Sequence, residues 1–168
     1  MKIEILMGDV LAVPADVLIS TANPWLQMTG GVNLAIILRP QGEFVHEELQ
    51  RYFRASGKRY VDPGTVVQTG PGSLPVKHIL HAVSITPSYE SSIELVAATA
   101  ATALTRACEL GARTVTMPAL ATGFGPLSMA EFATALKQVS ERDWAPVEML
   151  KVVLKREEDA VAVRAGLR

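Results

Sequence analysis

A short buried strand that runs into a long loop and then a glycine pair limits most of what this chain can become. Residues Ala15–Val32 read ADVLISTANPWLQMTGGV. Asp16–Thr21 is a short apolar and β-branched run, the composition of a strand covered on both faces. Asn23-Pro24 ends it, because the residue before proline avoids the helical region and proline donates no hydrogen bond. Gly30-Gly31 follows, and helical spacing resumes at Asn33 with Leu34, Ile37 and Leu38. Glycines that open a helix let backbone N–H groups approach an anion, and the helix dipole favours negative charge there. Taken alone, the same residues also describe an ordinary strand-to-helix connection.

A second stretch repeats the design. Thr114–Pro118 (TVTMP) is another apolar strand, and Ala119-Leu120-Ala121-Thr122-Gly123-Phe124-Gly125-Pro126 follows it. A helix is expected from about Ser128, with Phe132, Ala135, Leu136 and Val139 on one face. In open α/β sheets, ligands lie beyond the carboxyl ends of the strands, where such loops converge. Two glycine-bearing loops of this kind predict a cradle for a phosphate-bearing ligand.

The remaining elements fall around these two. Lys2–Met7 predicts a first strand ending at Gly8-Asp9, where Asp9 suits a turn. Glu43–Phe53 predicts a second helix; Gly64–Thr69 and Lys77–Val83 predict two strands. GPGSLP between these strands leads to no helix and is not a phosphate loop. Ser92–Glu109 predicts the longest helix, closed by Gly111. A last strand at Val147–Leu154 and a closing helix at Glu157–Leu167 complete the order. The succession β, β, α, α, β, β, α, β, α, β, α implies a three-layer α/β/α sandwich around a mixed six-stranded sheet. At 168 residues, positions 1–168 make one domain.

Charge and residue types exclude several chemistries. A net charge of −1 gives no footprint for nucleic acid, and no cationic cluster exceeds Lys58-Arg59. Cys108 is the lone cysteine, so no intrachain disulfide or cysteine metal site exists. His78 and His81 lie an odd number of residues apart on one strand and therefore face opposite sides, which precludes a joint metal site. No metal or cofactor is expected. With no apolar run of 18 residues and no cationic leader pattern, the expectation is a cytoplasmic protein without a membrane segment.

With both loops in place, the chain resembles the macro domain, an ADP-ribose-binding module. The resemblance rests on GDVLAVPADVLISTANPWLQMTGGVNLAI, GTVVQTGPGSLPVKHILHAV and MPALATGFGPL, in that order. It implies that Asp9 accepts a hydrogen bond from the adenine amino group, with Val10 packed beside the ring. It further implies that Asn23 holds the distal ribose and that Gly30, Gly31 and Val32 face one phosphate and that ribose. Thr122, Gly123, Phe124 and Gly125 would cover the pyrophosphate, with the Phe124 ring over the sugar.

Departures from the family pattern bear on mechanism. Family hydrolases carry Asp ten residues after the loop asparagine; this chain carries Asn33, which cannot act as a base. An asparagine there can also cap the helix. Pro24-Trp25 replaces small polar residues, the second loop is one residue shorter than the common form, and Leu154-Lys155 stand where many members place an aromatic against adenine. The expected function is a reader of ADP-ribose or ADP-ribosylated protein, with hydrolysis slow and substrate-assisted, Asn23 and Asn33 being the candidate catalytic positions. A working hydrolase of ADP-ribosyl or O-acetyl-ADP-ribose esters, and a ligand-free interaction domain, are the alternatives that this reading leaves open.

Overall fold

The structure is a computed structural model that describes Met1–Arg168. Six strands form one sheet: β1 (Lys2–Met7), β2 (Val17–Thr21), β3 (Val66–Thr69), β4 (His78–Ala82), β5 (Thr114–Met117) and β6 (Met149–Leu154). Five helices flank it: α1 (Gly31–Ile37), α2 (Gly42–Ser56), α3 (Ile93–Glu109), α4 (Met129–Ser140) and α5 (Glu157–Gly166), with one 3-10 turn at Val10–Ala12. The strand order is β1-β6-β5-β2-β4-β3. Only β3 runs antiparallel, against β4. The order of elements expected from the sequence holds, and most boundaries move by one or two residues.

Strand alternation divides the core. Val17 and Ile19 of β2, with Leu80 and Ala82 of β4, pack against α3, α4 and α5. Leu18 and Ile79 point the other way, onto α1 and α2 through Ile36, Val45 and Leu49. All of these side chains are essentially removed from water, the Val, Leu and Ile side chains each contributing about 1.5–3 kcal/mol from burial. The helix ends carry the chemistry their sequence implies. Ser92 accepts from the Leu95 amide at 3.1 Å to cap α3. Gly111 then takes a left-handed φ of +71° to close it, its N–H reaching the Cys108 carbonyl at 2.9 Å. Ser128 and Glu131 form a reciprocal capping box on α4.

Since β1, β6, β5, β2 and β4 are mutually parallel, their carboxyl ends share one edge of the sheet. The connections that leave this edge build the site.

Candidate functional site

Both glycine-bearing loops leave that edge, and each contributes to the lining of two chambers. The first chamber, about 160 Å³, is walled by Asn23, Gln27, Gly30, Gly31 and Asn33 from one loop and Ala121, Phe124 and Gly125 from the other. Ser84, Ile85 and Tyr89, which follow β4, complete it. The second chamber, about 370 Å³, is lined by Val10, Val32, Pro118, Thr122, Leu154 and Lys155 among others. Gly123 is exposed, with open space where a Cβ would lie.

Close approach explains one glycine of the pair and backbone angle the other. Gly30 is extended, yet a Cβ on it would come within 2.6 Å of the Phe124 ring. The largely exposed Phe124 therefore reaches across the cleft onto the opposite loop. Gly31 adopts φ +59°, the left-handed region that favours glycine. As the first residue of α1, Gly31 has an N–H without an intrahelical partner, as do Val32 and Asn33. At Gly125, a Cβ would come within 2.5 Å of the Ala121 carbonyl oxygen, so this turn too tolerates only glycine.

Asn23 folds its own loop. Its Oδ1 accepts from the amides of Trp25 and Gln27, both at 3.1 Å, and its Nδ2 donates to the Gln27 carbonyl at 2.8 Å. This carboxamide holds the bulky Pro24-Trp25 pair in place and still leaves one Nδ2 proton for the chamber. Asp9 is also occupied: Oδ1 accepts from Leu11 N at 3.0 Å and Oδ2 pairs with Arg39 at 2.8 Å. It lies half-exposed beside Val10 and lines neither chamber's wall.

Asn33 does not cap its helix. The cap position of α1 is Gly30, with no side-chain cap. Asn33 instead turns inward from the first turn and is 2% exposed. Its Oδ1 accepts from the Ser20 hydroxyl at 2.8 Å and faces His81 Nδ1 at 3.1 Å. Thr69 Oγ1 lies 2.9 Å from His81 Nε2. Ser20 and His81 are register partners across β2 and β4, so alternation puts both beneath α1 as a polar island in an apolar face. The neutral imidazole thus sits between Asn33 Oδ1 and Thr69 Oγ1, whose hydroxyl also donates to the Gly70 carbonyl at 3.0 Å. Burial pulls His81 down from 6.5 to about 3, so it is neutral at physiological pH. The Asn33 Nδ2 group is buried without a partner.

His78 faces the opposite side, within 3.3 Å of Gln68. No group of three His, Cys, Asp or Glu side chains suits a metal ion.

Two readings change. The α4 N-terminus already carries the Glu131 carboxylate on Ser128 N and Oγ, both at 2.8 Å, so α4 offers an anion a partly neutralised end. The second loop's backbone, not that helix, is left to meet a phosphate. The connection between β4 and α3, in which the sequence marks no site residue, also supplies a wall of the first chamber through Tyr89. Only the parallel direction of β4, which residue spacing does not encode, reveals it.

Comparison with known proteins agrees with this geometry. The Macro domain family profile matches residues 19–136. An uncharacterised protein of Pyrobaculum aerophilum is 36% identical over 143 residues, covering 83% of this chain and 76% of that one. One of Mycobacterium tuberculosis is 30% identical over 171 residues; the match spans 98% of this chain but only 45% of that protein. Among solved structures, an Oceanobacillus iheyensis macrodomain variant with ADPR superposes with a TM-score of 0.82 at 26% identity, covering 98% of this chain and 91% of that one. A Trypanosoma brucei macrodomain in complex with ADP-ribose, 18% identical, shares the fold with a TM-score of 0.81 over 99% of this chain and 69% of its own. The chain belongs to the macro domain family.

Proposed function

We propose that this protein binds ADP-ribose, free or as the ADP-ribosyl group of a modified protein, and acts as a reader. In this reading the distal ribose occupies the first chamber. The pyrophosphate lies along the backbone of Gly30–Val32 and Thr122–Gly125, and the adenine enters the second chamber beside Val10 and Leu154. Backbone amides and the start of α1 can neutralise a dianion without a lysine. The ligands carried by the macrodomains of Oceanobacillus iheyensis support the assignment, as does the placement of both loops on one edge.

One observation favours reader over efficient hydrolase. The first chamber's wall contains no Asp, Glu, His, Lys or Arg, and His81 is wholly buried beneath Asn33. No side chain there can take a proton from water at neutral pH. A positioned general base typically contributes about 10²- to 10⁴-fold, so turnover in this site is slow and substrate-assisted, with Asn23 and Asn33 orienting the water. We place the protein in the cytoplasm, in keeping with the absence of a cationic leader pattern from its sequence. No helix is long and apolar enough to cross a membrane.

Calorimetry with ADP-ribose, AMP and ATP side by side tests the reading. Selective binding of ADP-ribose is expected. Equal affinity for all three, or no heat with any, would overturn it.

A further inference from the structure

Beside the mouth of the first chamber lies a cationic surface that neither the fold nor the proposed nucleotide site uses. Arg39, Arg106, Arg113, Arg156 and Arg164 each pair with a carboxylate, and Arg142 lies 4.6 Å over the Trp144 ring. Before the C-terminal residue, that leaves Arg51, Arg54 and Arg59 without a carboxylate or aromatic partner. All three are exposed, and they fall in one segment, the end of α2 and the turn after it. No acidic residue occurs between Gln50 and Val61.

Three bonds fix this segment against the loop that forms the chamber. Gln50 donates to the Leu26 carbonyl at 2.8 Å, the Gln27 side chain donates to Gln50 at 3.4 Å, and the Val61 amide donates to the Pro24 carbonyl at 2.8 Å. Arg54 is one helical turn beyond Gln50 on the same side, and Arg51 is its neighbour three residues back. Arg59 sits two residues before the Val61 contact. On the loop itself, the half-buried Trp25 packs against Tyr89, with ring centroids 6.3 Å apart. Tyr89 is 49% exposed and walls the chamber. An aromatic step thus leads from the chamber toward three free guanidinium groups.

We propose that this surface recognises an acidic polypeptide segment flanking the ADP-ribosylated residue, so that the protein reads modified acidic sequences in preference to free ADP-ribose. The inference rests on the ADP-ribosyl reading, which puts the attachment point of the modified chain in the first chamber. Peptide leaving that chamber crosses the Trp25–Tyr89 pair and brings its carboxylates to Arg54 and Arg59, whose planar forks suit bidentate pairing. A nucleic-acid strand fits less well. The cations form one short patch, Glu48 and Asp62 bound it in sequence, and the net charge is −1, so no basic track follows a phosphate backbone.

The test compares free ADP-ribose, a mono-ADP-ribosylated peptide with Asp/Glu flanks, the same peptide with Ser/Gly flanks, and an oligonucleotide bearing a terminal ADP-ribose. Each is titrated into wild type and an Arg54→Glu/Arg59→Glu variant. Exposed ion pairs are individually weak. A tethered set of three gives the acidic peptide on the order of tenfold tighter binding than its neutral counterpart. That advantage disappears in the variant and at high salt, while free ADP-ribose binds both proteins equally. Equal binding of the two peptides to wild type, or an advantage that survives charge reversal, overturns the proposal; so does an oligonucleotide that gains more from the arginines than the acidic peptide does. An unmodified acidic peptide, followed by amide shifts in an NMR titration, separates the two readings. Shifts confined to residues 51–61 support the surface even if ADP-ribose fails to bind. Their absence at millimolar peptide counts against the surface whatever the nucleotide does.

Discussion

The two ends of β2 treat their polar groups in opposite ways. At the amino end, Asp16 accepts from the Arg113 amide at 2.9 Å, the Thr114 amide at 3.0 Å and the Thr114 hydroxyl at 3.2 Å, and pairs with Lys77 at 2.8 Å. The Lys77 contact, with the Arg113 amide next, holds this carboxyl well below the usual carboxylate range. Every strong bond is made, and the result is a clamp joining β2, β4 and β5. At the carboxyl end, Ser20, His81, Thr69 and Asn33 are fully buried but stop one bond short, at Asn33 Nδ2. A buried donor without a partner costs about 1–3 kcal/mol. The amino end of the strand is scaffold, and the carboxyl end, one bond short, borders the proposed site.

The largest expected effect breaks the open end outright. Gly123→Glu points a carboxylate into space that is empty in the fold, so circular dichroism and melting should change little. Facing a pyrophosphate, that charge costs several kcal/mol, and ADP-ribose binding should fall below detection by calorimetry. A folded variant that binds normally would show that the second loop is not the phosphate cradle.

Acid distinguishes the two ends next. Native His81 stays neutral down to about 3, whereas the unfolded chain takes up a proton below about 6.5. The unfolded state therefore binds more protons as pH falls, and stability drops by about 1.4 kcal/mol per unit. From pH 6.5 to 4.5 this amounts to roughly 2–3 kcal/mol. Asp16, whose native pKa is depressed, loses its contribution only at lower pH, as the solution passes below the unfolded carboxylate value. His81→Gln keeps a hydrogen-bonding side chain but does not titrate. Urea unfolding should show it with a lower stability at pH 7 and a flatter profile between pH 6.5 and 4.5; an unchanged slope would remove the buried-histidine argument.

The same contrast explains what the sequence disclosed. Local rules sufficed for the scaffold: Gly111 closes α3, Ser128 with Glu131 opens α4, and β-branched runs mark the parallel strands. The two loops were legible because glycine is required in each, at Gly30 by the Phe124 ring, at Gly31 by its left-handed backbone and at Gly125 by the Ala121 carbonyl. What stayed hidden depends on partners distant in sequence. Asn33 reads as a helix cap until the register of β2 against β4 places Ser20 and His81 beneath it, 13 and 48 residues away. Ser84, Ile85 and Tyr89 look like an ordinary turn until β4 proves parallel to β2. Asp9 has the sequence setting of a ligand contact, but its pairing with Arg39 across 30 residues is invisible to spacing.

Asp9 gives the third test, now with a competitor built in. Asp9→Ala removes the adenine acceptor that the family resemblance assigns and also frees Arg39. Loss of a charge-assisted bond should cost about 2 kcal/mol, roughly 30-fold in ADP-ribose affinity. Arg39→Ala, measured beside it, separates the roles. If Asp9 serves chiefly to hold Arg39, both variants weaken binding alike; if Asp9 meets the adenine, only the first does.

The smallest expected effect bears most directly on chemistry. Asn33→Asp would convert the unpaired amide nitrogen into a carboxylate oxygen, leaving the other oxygen to accept from Ser20 and to face His81 as Oδ1 does now. Since Asn33 is buried rather than capping, the substitution is not neutral. A carboxylate with one unpaired oxygen is destabilising by about 1–3 kcal/mol, and desolvation raises its pKa while its charge favours a proton on His81. A carboxyl raised toward neutrality is a better base than an ordinary aspartate. Release of ADP-ribose from a labelled, glutamate-linked substrate should therefore rise by at least about tenfold over wild type at matched enzyme concentration. The gain should also depend on His81, falling when Asn33→Asp is combined with His81→Gln, because the imidazole positions the carboxylate. Equal rates in wild type and variant, with ADP-ribose binding retained, would mean that position 33 does not face the reacting bond. The unfinished end of β2 would then be a reading surface and nothing more.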